Sequence, residues 1–225
     1  MTIQPRAEAT RRKLLEASVR LFADNGYQDT TPKEVAAAAD LTPGAFYYHF
    51  KSREDLADAI IEQGWPDVAA LLRRHVGEPG AGLESAIEAV FAVAALIDRE
   101  PIQKVAFHLD MAIGHRSPEA RRAYRQRVET FSTVMRESFR DSEIRDGVSR
   151  REAAELLWIA LVGAMLMSHT REEHGPRAIH RLALAWKAAL RTIAPDAVLP
   201  QLESFVDETS ARYASASVTL LRRPA

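Results

Sequence analysis

Apolar residues along most of this chain recur with a period near 3.6, and no stretch alternates convincingly with period two, which predicts helices throughout. The first predicted helix ends at Asn25-Gly26, a pair suited to a left-handed C-terminal cap. Its apolar stripe consists of Leu14, Ala17, Ser18, Leu21 and Phe22. Two short helices follow, and each begins with a threonine N-cap before proline, at Thr31-Pro32 and at Thr42-Pro43. The pattern therefore predicts an all-α fold.

A fourth predicted helix opens at Ser52 and runs to Trp65-Pro66, where the proline is expected to kink or end it. Beyond this point the pattern predicts a larger helical region, interrupted at proline and glycine residues. The helices predicted there cover residues 67–76, 83–98, 101–115, 118–141, 150–173, 178–194 and 200–214. We therefore expect an N-terminal domain over residues 1–53 and a second domain over residues 54–225.

Composition narrows the class of protein. The 225 residues are 47% hydrophobic and 27% charged, and they include no cysteine. This content suffices for a buried core, and it excludes a disulfide scaffold, a cysteine-ligated zinc site and a thiol nucleophile. The longest apolar run, Leu156 to Met167, has 12 residues, whereas a membrane span needs about 20. Because no apolar segment of a secretory signal follows the charged stretch Arg6 to Lys13, we expect a cytoplasmic protein with no membrane partner.

The first 50 residues have the spacing of a helix-turn-helix arrangement. Leu41 is expected to fill the turn, while Phe46 and Phe50, at i and i+4, anchor the third helix in the core. An aromatic-rich core helix is the simpler interpretation, but Tyr47 and Tyr48 cannot share the face of the two phenylalanines. A helix presented in this way fits the major groove of DNA. The predicted DNA-contacting residues are Thr31, Lys33, Thr42, Pro43, Gly44, Ala45, Tyr47, Tyr48, His49, Lys51 and Arg53.

Charge alone gives weaker support for a nucleic-acid partner. The whole chain has a net charge of −1, so DNA must be met by a local basic patch. Residues 1–53 carry eight basic and six acidic side chains, and four of the basic ones are clustered at Arg6, Arg11, Arg12 and Lys13. The cluster is typical of a solvated helix start, but beside a helix-turn-helix it predicts an arm that touches phosphates or the minor groove.

Residues 10–60 resemble the DNA-binding domain of the TetR family of bacterial repressors. The matching segments are Gly26-Tyr27, Thr30-Thr31, Glu34–Ala36, Thr42–Phe50 and Lys51–Leu56. The resemblance implies an all-helical homodimer whose C-terminal domain binds a small effector. It therefore implies double-stranded operator DNA, a small-molecule effector and a second copy as partners. Because the sequence has no glycine-rich phosphate loop, no GxSxG motif and no paired catalytic carboxylates, we expect no cofactor and no enzymatic activity. Pro43 stands where many relatives carry lysine, so one contact to DNA is expected to be lost.

The second predicted domain contains candidates for both a ligand pocket and a dimer interface. The candidate effector-pocket residues are Trp65, Phe91, Phe107, His108, Met111, Phe131, Met135, Trp158 and Met165. Taken singly, each is more typical of plain core than of a pocket, whereas as a set they favour a lipophilic, mostly uncharged ligand. The candidate dimer residues are Leu161, Ala164, Leu182, Ala183, Trp186 and Leu190. A purely intramolecular core is the alternative interpretation for these helices.

Some segments also resemble the γ-butyrolactone receptor branch of the family. They are Gly44–Phe50, Glu62-Gln63, Ala185-Trp186 and Thr192–Pro195. That branch carries a pocket tryptophan on the helix that corresponds to residues 118–141, and this chain has no tryptophan there.

Two other functional classes are alternatives to a ligand-responsive repressor. A metal-binding helical enzyme would need ligands that converge, but His108 and Asp110 point to different sides of a helix. His169, His174 and His180 lack helical ligand spacing. An architectural DNA-binding protein without a ligand is the other alternative, although the large second domain exceeds what dimerisation alone requires.

Overall fold

The computed structural model describes residues 5–77, 79–167 and 177–221. In these ranges the chain forms ten α-helices and one 3-10 helix, without β-strands, which confirms the predicted all-α class. The helices are α1 (Pro5–Asn25), α2 (Pro32–Ala38), α3 (Pro43–His49), α4 (Arg53–Val76), α5 (Leu83–Arg99), α6 (Pro101–Ile113), α7 (Pro118–Ser138), the 3-10 turn (Asp141–Glu143), α8 (Arg150–Met167), α9 (Arg177–Ile193) and α10 (Leu199–Leu221).

The chain folds into two units. Unit 1 combines Met1–Pro66 with Glu100–Gly114, and unit 2 combines Asp67–Arg99 with His115–Ala225. Unit 1 therefore contains α1 to α3, the first part of α4 and α6. Its core is a single apolar cluster to which all five helices contribute, with Leu14, Val35, Phe46, Leu56 and Leu109 among its members.

Local capping explains why α2 and α3 begin where they do. Thr31, the predicted N-cap, accepts a hydrogen bond from the Glu34 backbone N–H, and the Glu34 carboxylate accepts one from the Thr31 N–H, which completes a capping box. Thr42 caps α3 by accepting from the Ala45 N–H at 3.3 Å. Between the two helices Asp40 adopts a positive φ of 56°, a conformation that aspartate tolerates. Leu41 packs against the core beside this turn, as predicted.

One close helix approach in unit 1 depends on a glycine. A Cβ added to Gly64 of α4 would lie 2.6 Å from the Ala106 Cβ and 3.3 Å from the Ile102 carbonyl oxygen of α6. Only a residue without a side chain allows α4 and α6 to approach this closely.

Unit 2 is built around α5, of which eleven residues are buried. This helix packs against α7, α8, α9 and α10, and α8 packs extensively against α9. The 3-10 turn is held by Arg140, which donates hydrogen bonds to the carbonyl oxygens of Gly80 and Ala81. α8 begins at a second capping box, formed by Ser149 and Glu152.

Two helix boundaries differ clearly from the prediction, and a third lies outside the described residues. Pro66 lies inside α4, so a helix that ends at Trp65-Pro66, followed by a separate helix over 67–76, is wrong. Buried residues on both sides of the proline, Ile61 and Val68, hold the helix together by packing. α10 continues to Leu221 rather than ending near residue 214. The predicted end of α8 beyond Met167, together with His169 and His174, lies outside the described residues.

Candidate nucleic-acid interface

Helix α3 is anchored on one face and exposed on the other. Phe46 and Phe50 are buried, with their ring centroids 5.8 Å apart, and they fix the helix to the core of unit 1. Tyr47 and Tyr48 are 57% and 80% exposed, although large aromatic side chains usually avoid water. The structure thus presents two phenol hydroxyl groups on a helix whose orientation is set by the phenylalanines.

Most predicted contact residues lie at the surface around this helix. Lys33, Thr42, Pro43, Gly44 and Lys51 are exposed, as is Thr31, while Ala45 and His49 are half-buried. Thr31 and Thr42 are also engaged as helix caps. The backbone N–H of Lys51 donates to the Asp55 carboxylate at 2.9 Å, which fixes the start of α4 and leaves the Lys51 ammonium group at the surface.

Arg53 makes hydrogen bonds to backbone carbonyl oxygens of its own chain, which the sequence did not indicate. Its Nη1 donates to the carbonyl oxygens of Tyr27, Gln28 and Thr30, at 3.0 to 3.3 Å. Its guanidinium group also lies 4.3 Å from the centroid of the Tyr27 ring, within cation–π distance. The side chain therefore holds the connection between α1 and α2, and its contact to DNA stays a prediction.

The N-terminal basic cluster lies on a helix rather than on an arm. α1 begins at Pro5, so Arg6, Arg11, Arg12 and Lys13 project from helical backbone, and all four are exposed. The guanidinium group of Arg11 lies 5.2 Å from the centroid of the Phe50 ring. Arg11 is thereby placed beside the end of α3.

Electrostatics near the end of α3 favour an uncharged imidazole. Partial burial of His49, followed by the positive charge of Arg11, lowers the pKa of this imidazole below its ordinary value. The sequence analysis placed Arg11 only in the N-terminal basic cluster. Helical spacing could have indicated its position, because it puts Arg11 on the same side of α1 as Leu14 and Ser18, three and seven residues later.

The predicted effector-pocket residues are divided between the two units. Phe91, Phe131, Met135 and Met165 are buried in unit 2, where Trp158 is half-buried. The structure brings together Phe131 and Trp158, whose ring centroids are 5.0 Å apart. The remaining members belong to unit 1, where all are half-buried: Trp65, Phe107, His108 and Met111.

The predicted dimer residues all lie in the interior of unit 2. Leu161, Ala164, Leu182, Ala183, Trp186 and Leu190 expose at most 4% of their surfaces. The same two helices expose other apolar residues, which we call the α8–α9 face. It consists of Ile159, Gly163, Leu166 and Met167 of α8 and Leu184 and Ala188 of α9. The signal was present in the sequence, because the four α8 residues follow helical spacing.

The described residues contain neither a candidate metal site nor a candidate membrane-spanning helix. No group of three or more His, Asp or Glu side chains is placed to hold a metal ion within the ranges described. His108 instead lies with its Nδ1 2.7 Å from the Lys104 carbonyl oxygen, and the His115 ring lies against Tyr124. Over the same part of the chain, every helix is too short or too polar to span a bilayer.

A buried aromatic anchor, two capped short helices and an exposed recognition face define a DNA-binding protein of the helix-turn-helix class. Residues 14–60 match the family model "Bacterial regulatory proteins, tetR family", and residues 80–195 match "Tetracyclin repressor-like, C-terminal domain". The chain belongs to the TetR family of transcriptional regulators, and the predicted resemblance is confirmed.

Individual proteins of the family are similar over most of the chain. The regulator UidR of Escherichia coli K12 is 26% identical over 147 residues, which is 65% of this chain and 73% of UidR. The solved structure of CprB from Streptomyces coelicolor is 26% identical with a TM-score of 0.71, covering 92% of this chain and 98% of CprB. An ArpA-like γ-butyrolactone receptor structure is 25% identical with a TM-score of 0.72, covering 92% and 99% of the two chains.

Proposed function

We propose that this TetR-family regulator is a ligand-responsive repressor. In this proposal a homodimer binds a palindromic operator and is released from it by a small lipophilic effector. The observation that carries the proposal is the exposed pair Tyr47 and Tyr48 on a helix anchored by Phe46 and Phe50. An exposed outer face on a firmly anchored helix suits a recognition helix, whose side chains contact DNA in the major groove.

The contacts to DNA are expected to divide into two kinds. The Lys33 and Lys51 ammonium groups are exposed near the ends of α2 and α3, which suits contact to phosphates, and such contacts position the protein without reading sequence. Thr42, Gly44 and Tyr48 lie on the exposed side of α3, where a helix in the major groove meets base edges. The small Gly44 lets the backbone approach the bases.

The dimer is proposed to form through the α8–α9 face. Ile159 and Leu184 are 58% and 67% exposed, and aliphatic groups exposed on neighbouring helices are typical of a protein interface. The proposed partner at the α8–α9 face is a second copy of this chain, because two recognition helices related by a twofold axis read a palindrome. In this arrangement the α3 helices of the two copies enter successive major grooves, roughly 34–36 Å apart.

The effector is proposed to bind in the aromatic interior of unit 2. The similarity to γ-butyrolactone receptors supports a small, weakly polar ligand, and so does the pairing of Phe131 with Trp158. Release from the operator requires that the ligand bind more tightly to a conformation with lower affinity for DNA. The ligand thereby shifts the population away from the DNA-binding state.

Fluorescence anisotropy tests the proposal. The full-length protein is titrated onto labelled DNA from immediately upstream of its own gene, at several salt concentrations. We expect binding in the nanomolar range, with two protomers or a multiple of two per site and strong salt dependence. Weak binding without sequence preference, for the operator region and for unrelated DNA alike, would contradict the repressor proposal and favour an architectural role.

A matched pair of variants locates the DNA-binding surface in the same assay. Lys51→Ala removes a charge at the end of α3, and Arg122→Ala removes a charge on the exposed surface of α7 in unit 2. We expect Lys51→Ala to reduce the slope of log affinity against log salt by about one, and Arg122→Ala to leave it unchanged. Equal effects of the two substitutions would show that the binding surface lies elsewhere.

A further inference from the structure

Trp186 carries a hydrogen-bond donor for which the described chain supplies no acceptor. The side chain lies on α9 and is 0% exposed. Its Nε1–H can only donate, and within residues 5–77, 79–167 and 177–221 the structure places no acceptor in hydrogen-bonding range of it. Buried donors in folded proteins nearly always have a partner. Within the described residues, the indole N–H is therefore available to an acceptor that enters from outside the chain.

The surroundings of Trp186 restrict the chemistry of such an acceptor. The Phe91 ring of α5 stands edge to face with the indole, with the two centroids 6.5 Å apart. Among the buried residues described in unit 2, only Ser138 and Thr209 are polar. Both hydroxyl groups are already engaged, because Ser138 donates to the Met135 carbonyl oxygen and Thr209 accepts from Arg212. Burial among apolar side chains disfavours a charged ligand, because a buried charge loses its hydration.

We propose that the Trp186 Nε1–H donates the hydrogen bond that orients the effector inside unit 2. The ligand class that fits is an uncharged, mostly apolar molecule with an exposed acceptor oxygen, such as a ketone, an ester or an ether. The apolar body of the ligand packs among the aromatic and aliphatic side chains of α5 and α9, and its oxygen meets the indole nitrogen. The inference rests on the proposed function, since it names a residue and a ligand class for the effector site.

Trp186 is distinct from the nine residues predicted for the pocket. The sequence placed it in the dimer interface, because α9 has a strongly apolar face that also contains Leu182 and Leu190. Full burial within one chain removes Trp186 from contact with a second copy, and the unpaired indole nitrogen gives it a different role. Neither fact is visible from periodicity alone.

Two matched pairs of small molecules test the inference by NMR on the full-length protein with ¹⁵N-labelled tryptophan. Each pair consists of a ketone and a hydrocarbon in which CH–CH₃ replaces C=O. The pairs are cyclohexanone with methylcyclohexane, and 4-phenylbutan-2-one with (3-methylbutyl)benzene. The chain has three tryptophans, and Trp186→Phe identifies the Trp186 indole signal by its loss. We expect at least one ketone to move the Trp186 N–H proton downfield, as formation of a hydrogen bond does, and its hydrocarbon partner to leave it upfield.

Trp186→Phe also provides a thermodynamic cycle, because it keeps an aromatic ring and removes the donor. We expect the substitution to weaken binding of the responding ketone about tenfold, the effect of one buried hydrogen bond, and binding of its hydrocarbon partner less than twofold. If the variant does not fold, the downfield shift in the wild-type protein decides the matter by itself.

Three results would overturn the inference. The first is that neither ketone moves the Trp186 signal, which would mean that the N–H is satisfied within the protein, for example by the face of the Phe91 ring. The second is equal weakening of ketone and hydrocarbon in Trp186→Phe. The third is a shift confined to Trp65 or Trp158. Operator binding is measured on the same samples. If the operator is still bound, any of these three results overturns this inference alone. If the operator is not bound, the proposed function is overturned.

Discussion

The two units expose large hydrophobic side chains to a similar degree, but these side chains differ in their chemistry. Among the described residues, those of unit 1 are the tyrosines Tyr47 and Tyr48, and those of unit 2 are aliphatic, with Ile159 and Leu184 as the main examples. A phenol has an apolar ring and a hydrogen-bonding tip, so it suits a hydrated, charged partner such as DNA. Isoleucine and leucine have no polar group, and they suit a partner surface that excludes water. Exposure alone therefore does not define an interface. Exposure and chemistry together distinguish the proposed DNA-binding surface from the proposed dimer surface.

The largest effect is expected when the aliphatic surface is made charged. Leu184→Arg places a cation where a second copy is proposed to pack, and burial of an unpaired charge is costly. We expect the protein to sediment as a monomer and operator affinity to fall about 100-fold, because paired recognition helices reinforce each other.

Ala123→Arg is the matched control for this prediction. It introduces the same cation at an exposed position of α7, outside the α8–α9 face. The control is expected to remain dimeric in sedimentation velocity. A dimeric Leu184→Arg protein with normal affinity would place the dimer interface on another surface.

Two helical glycines extend the comparison to helix packing: Gly64 is buried in unit 1, whereas Gly163 is exposed on the α8–α9 face. In unit 1 a Cβ on Gly64 would meet the Ala106 Cβ at 2.6 Å, whereas in unit 2 a Cβ on Gly163 would meet nothing within 4 Å. We expect Gly64→Ala to lower the free energy of unfolding by about 1–3 kcal/mol through overpacking. Gly163→Ala is expected to raise it by up to about 1 kcal/mol, because alanine favours the helix.

Urea denaturation of both glycine variants, followed by circular dichroism, measures these changes. The two substitutions are chemically identical, so the difference between them isolates the contact of α4 with α6. Equal changes in both variants would mean that helix propensity, rather than the approach of the two helices, sets the stability at Gly64.

The tyrosine surface is expected to respond less strongly than the aliphatic one. Tyr48→Leu keeps much of the apolar volume and removes the aromatic ring with its hydroxyl group, and we expect operator affinity to fall about tenfold while the protein stays dimeric. Tyr213→Phe is the control, because Tyr213 lies in unit 2 and donates to the Glu88 carboxylate at 2.8 Å. Anisotropy on the operator region and on scrambled DNA separates base reading from phosphate contact. A loss on both DNAs alike would assign Tyr48 to phosphate.

The sequence predicted unit 1 in more detail than unit 2, and the reason is physical. Helix caps, proline at the first helical position and the i, i+4 pair of Phe46 and Phe50 are local signals, and local signals determine short helices. Pro66 shows the limit of these local signals. Proline is expected to kink or end a helix, but α4 continues through Pro66, because burial of residues on both sides outweighs the lost hydrogen bond.

In unit 2 the sequence located the apolar helices correctly but did not separate their inner faces from their outer ones. α8 is apolar nearly all round, so periodicity gives no direction to it. Leu161 and Ile159 are equally apolar, yet one is buried and the other exposed. Only the positions of α5, α7 and α9 decide which side is the interior, and these are tertiary contacts. The internal hydrogen bonds of Arg53 were equally invisible, since its acceptors lie more than 20 residues away.

The smallest effect is expected at the N-terminal cap of α2. Thr31→Ala removes the hydroxyl group that caps the helix, and we expect the free energy of unfolding to fall by about 1 kcal/mol. Hydrogen bonds from the Thr31 hydroxyl and backbone N–H lower the pKa of the Glu34 carboxyl below its ordinary value. A carboxyl whose pKa is depressed in the folded state stabilises the protein above its ordinary pKa and loses that contribution as the pH falls through the lowered value.

The wild-type protein is therefore expected to lose stability on acidification below about pH 4.5, the ordinary value of the carboxyl, and the difference between wild type and Thr31→Ala should shrink over the same range. Denaturation series at several pH values measure both curves. Ser149→Ala is the matched control in unit 2, because Ser149 forms the equivalent capping box with Glu152 and lowers the pKa of that carboxyl in the same way. If the two caps act only through local helix stability, both variants lose similar stability with the same pH dependence. A further loss of operator affinity, confined to Thr31→Ala, would add a direct role for Thr31 in the DNA-binding surface.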